Sequence, residues 1–379
     1  MREMYFTDEE IEKCTATKGD LLVCEGGDIG RAAIWPFDYE IRIQNHIHRL
    51  RAYAPICTEY YYYLFYLYKH VGWIGGKGIG IQGLSSNALH DLLFPLPPLA
   101  EQERIVAKIK TIEPYTDRYA VAATNLDKLN NAFPDMLKKS ILQMAVQGKL
   151  VPQNPDDEPA SVLLERIRAE KQRLVKEGKI KKDKHESVIF RRDNSHYEKL
   201  DGIEHCIDDE IPFDVPETWV WARFFSVVHI ATNLVRPELY AHYPHIAPDN
   251  IEKATGTLLA CCSVLQDKVT SPNHLFHKGQ IIYSKIRPLL RKAVIAPFDG
   301  LCSADMYPLN TSLNGKYLLR YILSDTFNLQ VAAAMSSRVK MPKINQEELS
   351  RILIPIPPMQ EQDRIACKID ELVAKIALF

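Results

Sequence analysis

PLPPLAEQERIVAKI at residues 95–109 and PIPPMQEQDRIACKI at residues 355–369 decide how this chain is read. The second stretch lies 260 residues after the first. Nine of the fifteen positions are identical: Pro95/Pro355, Pro97/Pro357, Pro98/Pro358, Glu101/Glu361, Gln102/Gln362, Arg104/Arg364, Ile105/Ile365, Lys108/Lys368 and Ile109/Ile369. That density of agreement at one fixed offset means duplication. Proline has a fixed φ that suits the start of a helix and not its interior. Each stretch therefore predicts an extended exit that turns into a helix.

The offset holds upstream. Lys18-Gly19 falls on Lys278-Gly279, each before a short apolar run, Leu21-Leu22-Val23 and Ile281-Ile282-Tyr283. Arg31 falls on Arg291, and one residue of slip puts Pro36-Phe37-Asp38 on Pro297-Phe298-Asp299. A period this long describes duplicated domains, not stacked small repeats. Met1 aligns near Cys261, so IPFDVPETWVWARFFSVVHI (211–230) has no counterpart in the first copy. The first copy is expected to lack its opening portion, as a truncated domain or one completed by another polypeptide.

After Pro98, Ile105, Ile109, Ile112, Thr116, Tyr119, Ala123 and Leu126 step by four and three, a heptad seam. Ile365, Ile369, Leu372, Ile376 and Phe379 repeat the register. Matching seams predict that the two helices pair with each other. Pro114 is expected to kink the first, and a second helix is expected at about 133–147, closed by Gly148. Both copies read as mixed α and β. Aromatic-rich segments (59–69; 316–324) and short segments before each Pro-x-Pro-Pro (88–93; 347–352) read as helices. Residues 151–178 read as a turn and a helix. Residues 179–210 are charged, without apolar periodicity, and read as a weakly ordered linker. Trp219 and Trp221 are expected to divide between a domain core and the helical region.

Composition is that of a globular protein, 46% hydrophobic and 25% charged, with net charge −1 over 379 residues. That length predicts more than one domain. No apolar run is long enough for a membrane helix and the start does not read as a signal peptide; eight scattered cysteines contain no Cys-x-x-Cys pair. A cytoplasmic protein with free thiols is expected. With so little net charge, any nucleic-acid binding must come from local basic patches.

The two Pro-x-Pro-Pro helices, the passage ILQMAVQGKLVPQNPDDEPASVLLERIRAEKQ (141–172) and the opener IPFDVPETWVWARF (211–224) together resemble the specificity subunits of type I restriction–modification systems, the HsdS family. The resemblance covers essentially the whole chain. It implies an α+β chain in which two mixed α/β target-recognition domains are separated by long helices forming an antiparallel coiled coil. Residues 1–98 would be the first recognition domain, truncated at its N-terminus, and 99–150 the central helical spacer. Residues 151–210 would be a helix and charged linker, 211–355 the second recognition domain, and 356–379 the C-terminal helix. The implied partners are double-stranded DNA, two modification subunits and, through the complex, restriction subunits. No cofactor, metal or catalytic residue is implied.

DNA sequence is read from base edges, while cations on phosphate fix the register. Two segments before the short helices mix cations with amide or hydroxyl groups. One contains Lys77, Gln82, Ser85 and Ser86, the other Arg338, Lys340 and Lys343. Lys285, Arg287 and Arg291 form a further basic group. The bland reading of each is a solvated loop. Gly26–Gly30 lacks the Gly-Lys-Ser/Thr ending of a phosphate loop and reads as a turn. Two other functions stay open: a recognition-domain donor fragment that never assembles, and a stand-alone DNA-modifying enzyme.

Overall fold

The computed structural model describes residues 5–74, 83–178, 183, 185–335, 342–376 and 378. The chain divides into two compact units, Met1–Lys128 and Leu129–Phe379. No helix among the described residues is long and apolar enough to cross a membrane.

The first unit is built on a three-stranded antiparallel sheet. Leu21–Cys24 lies in the centre, flanked by Ala32–Ile34 and Ile47–Leu50. Leu21 and Val23 alternate inward and meet Phe65 and Tyr68 of the aromatic helix Thr58–His70, with Leu84 and Leu89 closing the core. The second unit repeats this sheet. Ile281–Ser284 pairs with Ala293–Ile295 on one side and Met306–Thr311 on the other, and Val228–Ile230 adds a fourth strand. The Lys-Gly turns are equivalent in detail. Gly19 and Gly279 both sit at φ 90°, a conformation open to glycine alone at little cost. Their N–H groups donate to Trp35 and Ala296 carbonyls, each at 2.9 Å. A second four-stranded sheet in the same unit runs Leu234–Val235, Asn273–Phe276, Gly300–Cys302, His245–Ile246, its last pair parallel.

The repeated glutamine has the same job in each copy. Gln102 accepts from the Cys57 N–H at 2.9 Å and donates to the Pro97 carbonyl at 2.9 Å. Gln362 accepts from the Asn314 N–H at 2.8 Å and donates to the Pro357 carbonyl at 2.9 Å. Cys57 and Asn314 are the residues that cap Thr58–His70 and Gly315–Leu323. One buried amide therefore bolts the start of the proline-led helix to the start of the aromatic helix. A buried polar side chain is tolerated because both its donor and acceptor sides are satisfied.

Several elements differ from the sequence reading. Leu99–Val146 is one continuous helix of 48 residues, with Pro114 inside it, instead of two helices. Proline removes a single ladder bond, and a helix this long retains the rest. The C-terminal helix Met359–Ile376 buries Ile365, Ile369 and Ile376 in one cluster with Ile141 and Ala145 from the far end of Leu99–Val146; Leu137 and Leu372 are half-buried against it. Its coiled-coil partner is thus that end. Ile105 and Ile109 are half-buried and Ile112 is 45% exposed. Phe379 lies outside the described residues.

The stretch read as a linker holds a three-stranded antiparallel meander, Ser187–Arg192, Ser195–Leu200 and Ile203–Cys206. Its first turn places Asp193 and Asn194 at φ 53° and 66°, the paired left-handed conformation of a tight hairpin. Most of its charges are exposed, but one is inside. Glu198 is fully buried against Arg223, with Nε–Oε1 3.0 Å and Nη2–Oε2 2.5 Å. Trp219 and Trp221 are both buried in the cluster around the C-terminal helix. Residues two apart along extended chain point the same way, so the expected division does not occur.

The opener completes the second copy. Val220–Arg223 pairs antiparallel with Leu353–Ile356, whose four residues are all buried. Trp219 Nε1 donates to Glu361 Oε2 at 2.9 Å, Gln153 Nε2 donates to Glu361 Oε1 at 2.6 Å, and Arg364 is paired with Asp157. Burial pushes the Glu361 carboxyl above its ordinary range despite the hydrogen bonds from Trp219 and Gln153.

Candidate nucleic-acid interface

Two basic segments that lie apart in sequence meet in the second unit. Strand Ile281–Ser284 runs out into Lys285, whose N–H donates to the Asp305 carbonyl at 3.0 Å and whose own carbonyl accepts from Ile344 at 3.0 Å. Ile286 bridges Lys343, and the Arg287 N–H donates to the Pro342 carbonyl at 2.9 Å. The 285–292 loop is therefore stitched along the 342–344 segment, and Lys285, Arg287 and Lys343 share one surface.

Arg287 and Arg291 bracket a one-turn 3₁₀ helix, Pro288–Leu290, at φ 44° and 53°. A residue with a Cβ pays on the order of 1–2 kcal/mol for this conformation, and such strain persists where the surroundings over-determine it. Here Pro288, the bond to Pro342 and the bridge to Lys343 supply that constraint. The cations are held differently. Arg291 pairs with Asp325 at 2.5 Å and donates to the Leu323 carbonyl at 3.2 Å. Lys292 donates to the Pro248 carbonyl at 2.6 Å. Lys343 pairs with Asp305 at 3.0 Å, and Lys285 Nζ lies 5.1 Å from the Tyr307 ring centroid. Arg287 is exposed and its guanidinium has no ion pair among the described residues. Burial raises the Tyr307 hydroxyl pKa, so that ring stays neutral beneath Lys285.

In the first unit, Ser85 caps the short helix Ser86–His90, its Oγ accepting from the Ala88 N–H at 3.2 Å. Asn345, its counterpart 260 residues on, caps Gln346–Ser350 in a capping box with Glu348. Ser86 is exposed at the first helical position. Lys77, Gln82, Arg338 and Lys340 lie outside the described residues. Sequence reasoning missed Asp305, Asp325 and Tyr307, which hold the cations in place. No spacing rule singles them out in the stretches LCSADMYPLN (301–310) and YILSDTFNLQ (321–330).

The two copies share a central antiparallel sheet, a Lys-Gly turn at φ 90° and a proline-led helix, which defines a duplicated α+β chain. The family model described as type I restriction modification DNA specificity domain matches residues 4–119 and 240–379, and the chain belongs to this family. Residues 120–239 fall outside the match. The chain is 33% identical over 301 residues to the type I restriction enzyme EcoDI specificity subunit of Escherichia coli, covering 79% of this chain and 59% of that one. It is 29% identical over 330 residues to the EcoAI specificity subunit of Escherichia coli, covering 74% of this chain and 53% of that one. The chain thus spans between half and three-fifths of the length of these curated relatives. The crystal structure of the HsdS subunit from Thermoanaerobacter tengcongensis aligns over 97% of this chain and 76% of that one, at TM-score 0.49 and 17% identity.

Proposed function

We propose that this chain is the non-catalytic, DNA-reading subunit of a type I restriction–modification complex. In this reading the clamped loop at 285–292 and 342–344 meets the duplex. Lys285 and Lys343 set the register on phosphate, and Arg287 offers a planar donor fork to a base edge, as arginine does for guanine. Lys77, Gln82, Ser86, Arg338 and Lys340 would add further DNA contacts from the two copies, giving a bipartite target. Two modification subunits would dock on the helical region, with restriction subunits joining through the complex. Methyl transfer, ATP hydrolysis and cleavage would then belong to those partners.

The observation that carries the reading is the stitching of two distant basic segments into one rigid surface on a scaffold whose family is defined by DNA specificity. The test is co-expression with the modification subunit, followed by methylation mapping. A stable complex that methylates one bipartite or half-specified motif is expected. A chain that binds no modification subunit would sink the proposal in favour of a donor fragment. Methyl transfer by the purified chain alone would favour the enzyme reading.

A further inference from the structure

The two copies present the same receptor, filled in one and open in the other. In the second copy the receptor is the strand Leu353–Ile356 with the first turns of Met359–Ile376. The opener strand Val220–Arg223 lies along it, Trp219 reaches Glu361, and Asp157 holds Arg364. Val215 and Trp219 also help to bury Ile365 and Ile369.

Subtracting 260 gives the first-copy receptor: Leu93, Phe94, Pro95 and Leu96, then Glu101, Arg104, Ile105 and Ile109. Its back is already fixed as in the second copy. The Tyr68 hydroxyl donates to the Leu93 carbonyl at 2.7 Å, as Tyr321 does to Leu353. Phe94 stacks on Tyr68 with ring centroids 5.1 Å apart, and Gln102 bonds the Pro97 carbonyl. Its front is bare. Leu93 is 88% exposed and Leu96 72%, against full burial of Leu353 and Ile356. No described strand pairs with 93–96. Glu101 and Arg104, lacking an indole and an aspartate, turn to each other. Pro98, Ala100, Glu101, Glu103, Arg104 and Ala107 line an open groove of about 570 Å³; of their counterparts, Pro358 and Glu361 are buried and Arg364 half-buried, while Gln360, Asp363 and Cys367 stay exposed.

We infer that the first unit is a receptor for an extended polypeptide segment of opener chemistry, a tryptophan followed by an apolar strand, supplied from outside the described residues. That strand would pair with 93–96 while its indole N–H donates to Glu101. The occupant is not the opener of a second copy, because that opener is already buried in its own unit: Trp219 and Trp221 are 3% and 2% exposed. Exchanging it would empty one receptor to fill another.

The test uses the full chain and a synthetic peptide of residues 211–224, IPFDVPETWVWARF. The receptor of the second unit is held by its covalently linked opener, whose effective concentration a free peptide does not match. Added peptide is therefore directed to the first unit. Saturable binding is expected, with slowed hydrogen exchange at 93–96 and 101–107 and no change at 353–356. A peptide carrying Trp219→Ala should bind at least ~10-fold more weakly, the loss of a buried aromatic anchor. The chain variant Leu93→Asp/Leu96→Asp, altered only at exposed side chains, should keep its melting temperature and lose the peptide. Absence of binding at millimolar peptide would overturn the inference. So would binding that survives Leu93→Asp/Leu96→Asp, or self-association of the chain that this variant abolishes and the peptide does not compete.

Discussion

Replacing Arg223 with Met should destabilise the second unit by about 3–5 kcal/mol, the usual result of stranding one member of a buried ion pair. Glu198 is fully buried, and the Arg223 side chain is its charge partner through two nitrogens; Ser187 Oγ donates to it as well. Arg223 also reaches Glu210 at 2.8 Å and the Arg351 carbonyl at 2.9 Å, so one guanidinium ties the meander to the opener and to the turn after Gln346–Ser350. For a unit of this size a stability change of 1 kcal/mol moves the melting temperature by about 2–4 °C. A fall on the order of 10 °C is expected by calorimetry.

Two controls separate lost charge compensation from lost packing. The double variant Glu198→Leu/Arg223→Met leaves no stranded carboxylate and should recover most of the loss, with about 1–2 kcal/mol remaining for the unfilled polar groups. The second control is pH. In the native chain burial pushes Glu198 up, but Arg223, Ser187 and His205 outweigh it and its pKa is lowered from 4.5. Its contribution is therefore present above the unfolded value and lost as pH falls through the folded one. With Arg223 gone, burial alone should raise the carboxyl pKa, and stability should be lost as pH rises through that raised value. The deficit of Arg223→Met should accordingly be small near pH 4 and grow toward pH 7. A loss below about 1 kcal/mol, a double variant no better than the single one, or a deficit independent of pH would refute the reasoning.

Gln362→Leu should cost the second unit about 2 kcal/mol by leaving the Asn314 N–H and the Pro357 carbonyl unpaired, and Gln102→Leu should cost the first unit as much; unequal exchange protection of 57–60 and 314–317 would count against a shared role. Arg287→Ala in the assembled complex should weaken DNA binding about tenfold with no fall in melting temperature; unchanged binding would remove Arg287 from the contact surface. Arg287→Gly should also relieve the left-handed backbone and raise stability by up to ~1 kcal/mol, measured by urea unfolding. Glu361→Gln keeps an oxygen for the Trp219 indole and removes the buried charge. Because the Glu361 pKa is raised, the wild-type carboxylate loses stability as pH rises through its folded value. The Gln variant should gain on wild type from pH 4 to pH 7, and a constant difference would refute this.

The fold was legible where a local rule and the repeat agreed. The Lys-Gly turns, the strands that follow them and the helices after Pro-x-Pro-Pro all fall where turn chemistry and proline geometry put them. It was not legible where charge and burial part company. Residues 187–206 look solvated because every Asp, Glu, Lys and Arg there but Glu198 is exposed; the partner of Glu198, Arg223, lies 25 positions away on a strand of another sheet. The site was half legible. Lys285, Arg287 and Lys343 are visible as basic residues, but Ile286 bridging Lys343 is a tertiary pairing that composition does not encode.

The repeat itself also carries more than duplication. Ile105, Ile109, Ile365 and Ile369 occupy heptad positions, and heptads report only that an apolar stripe wants a cover. In the second copy that cover comes from two sources, the far end of Leu99–Val146 and the opener residues Val215 and Trp219. A seam pattern cannot distinguish a helical partner from an indole laid across it. The identical Glu and Arg in each copy make the distinction. Glu361 and Arg364 are separated by outside partners, whereas Glu101 and Arg104 close on each other. The same sequence signature thus marks an occupied receptor at one end of the offset and an open one at the other.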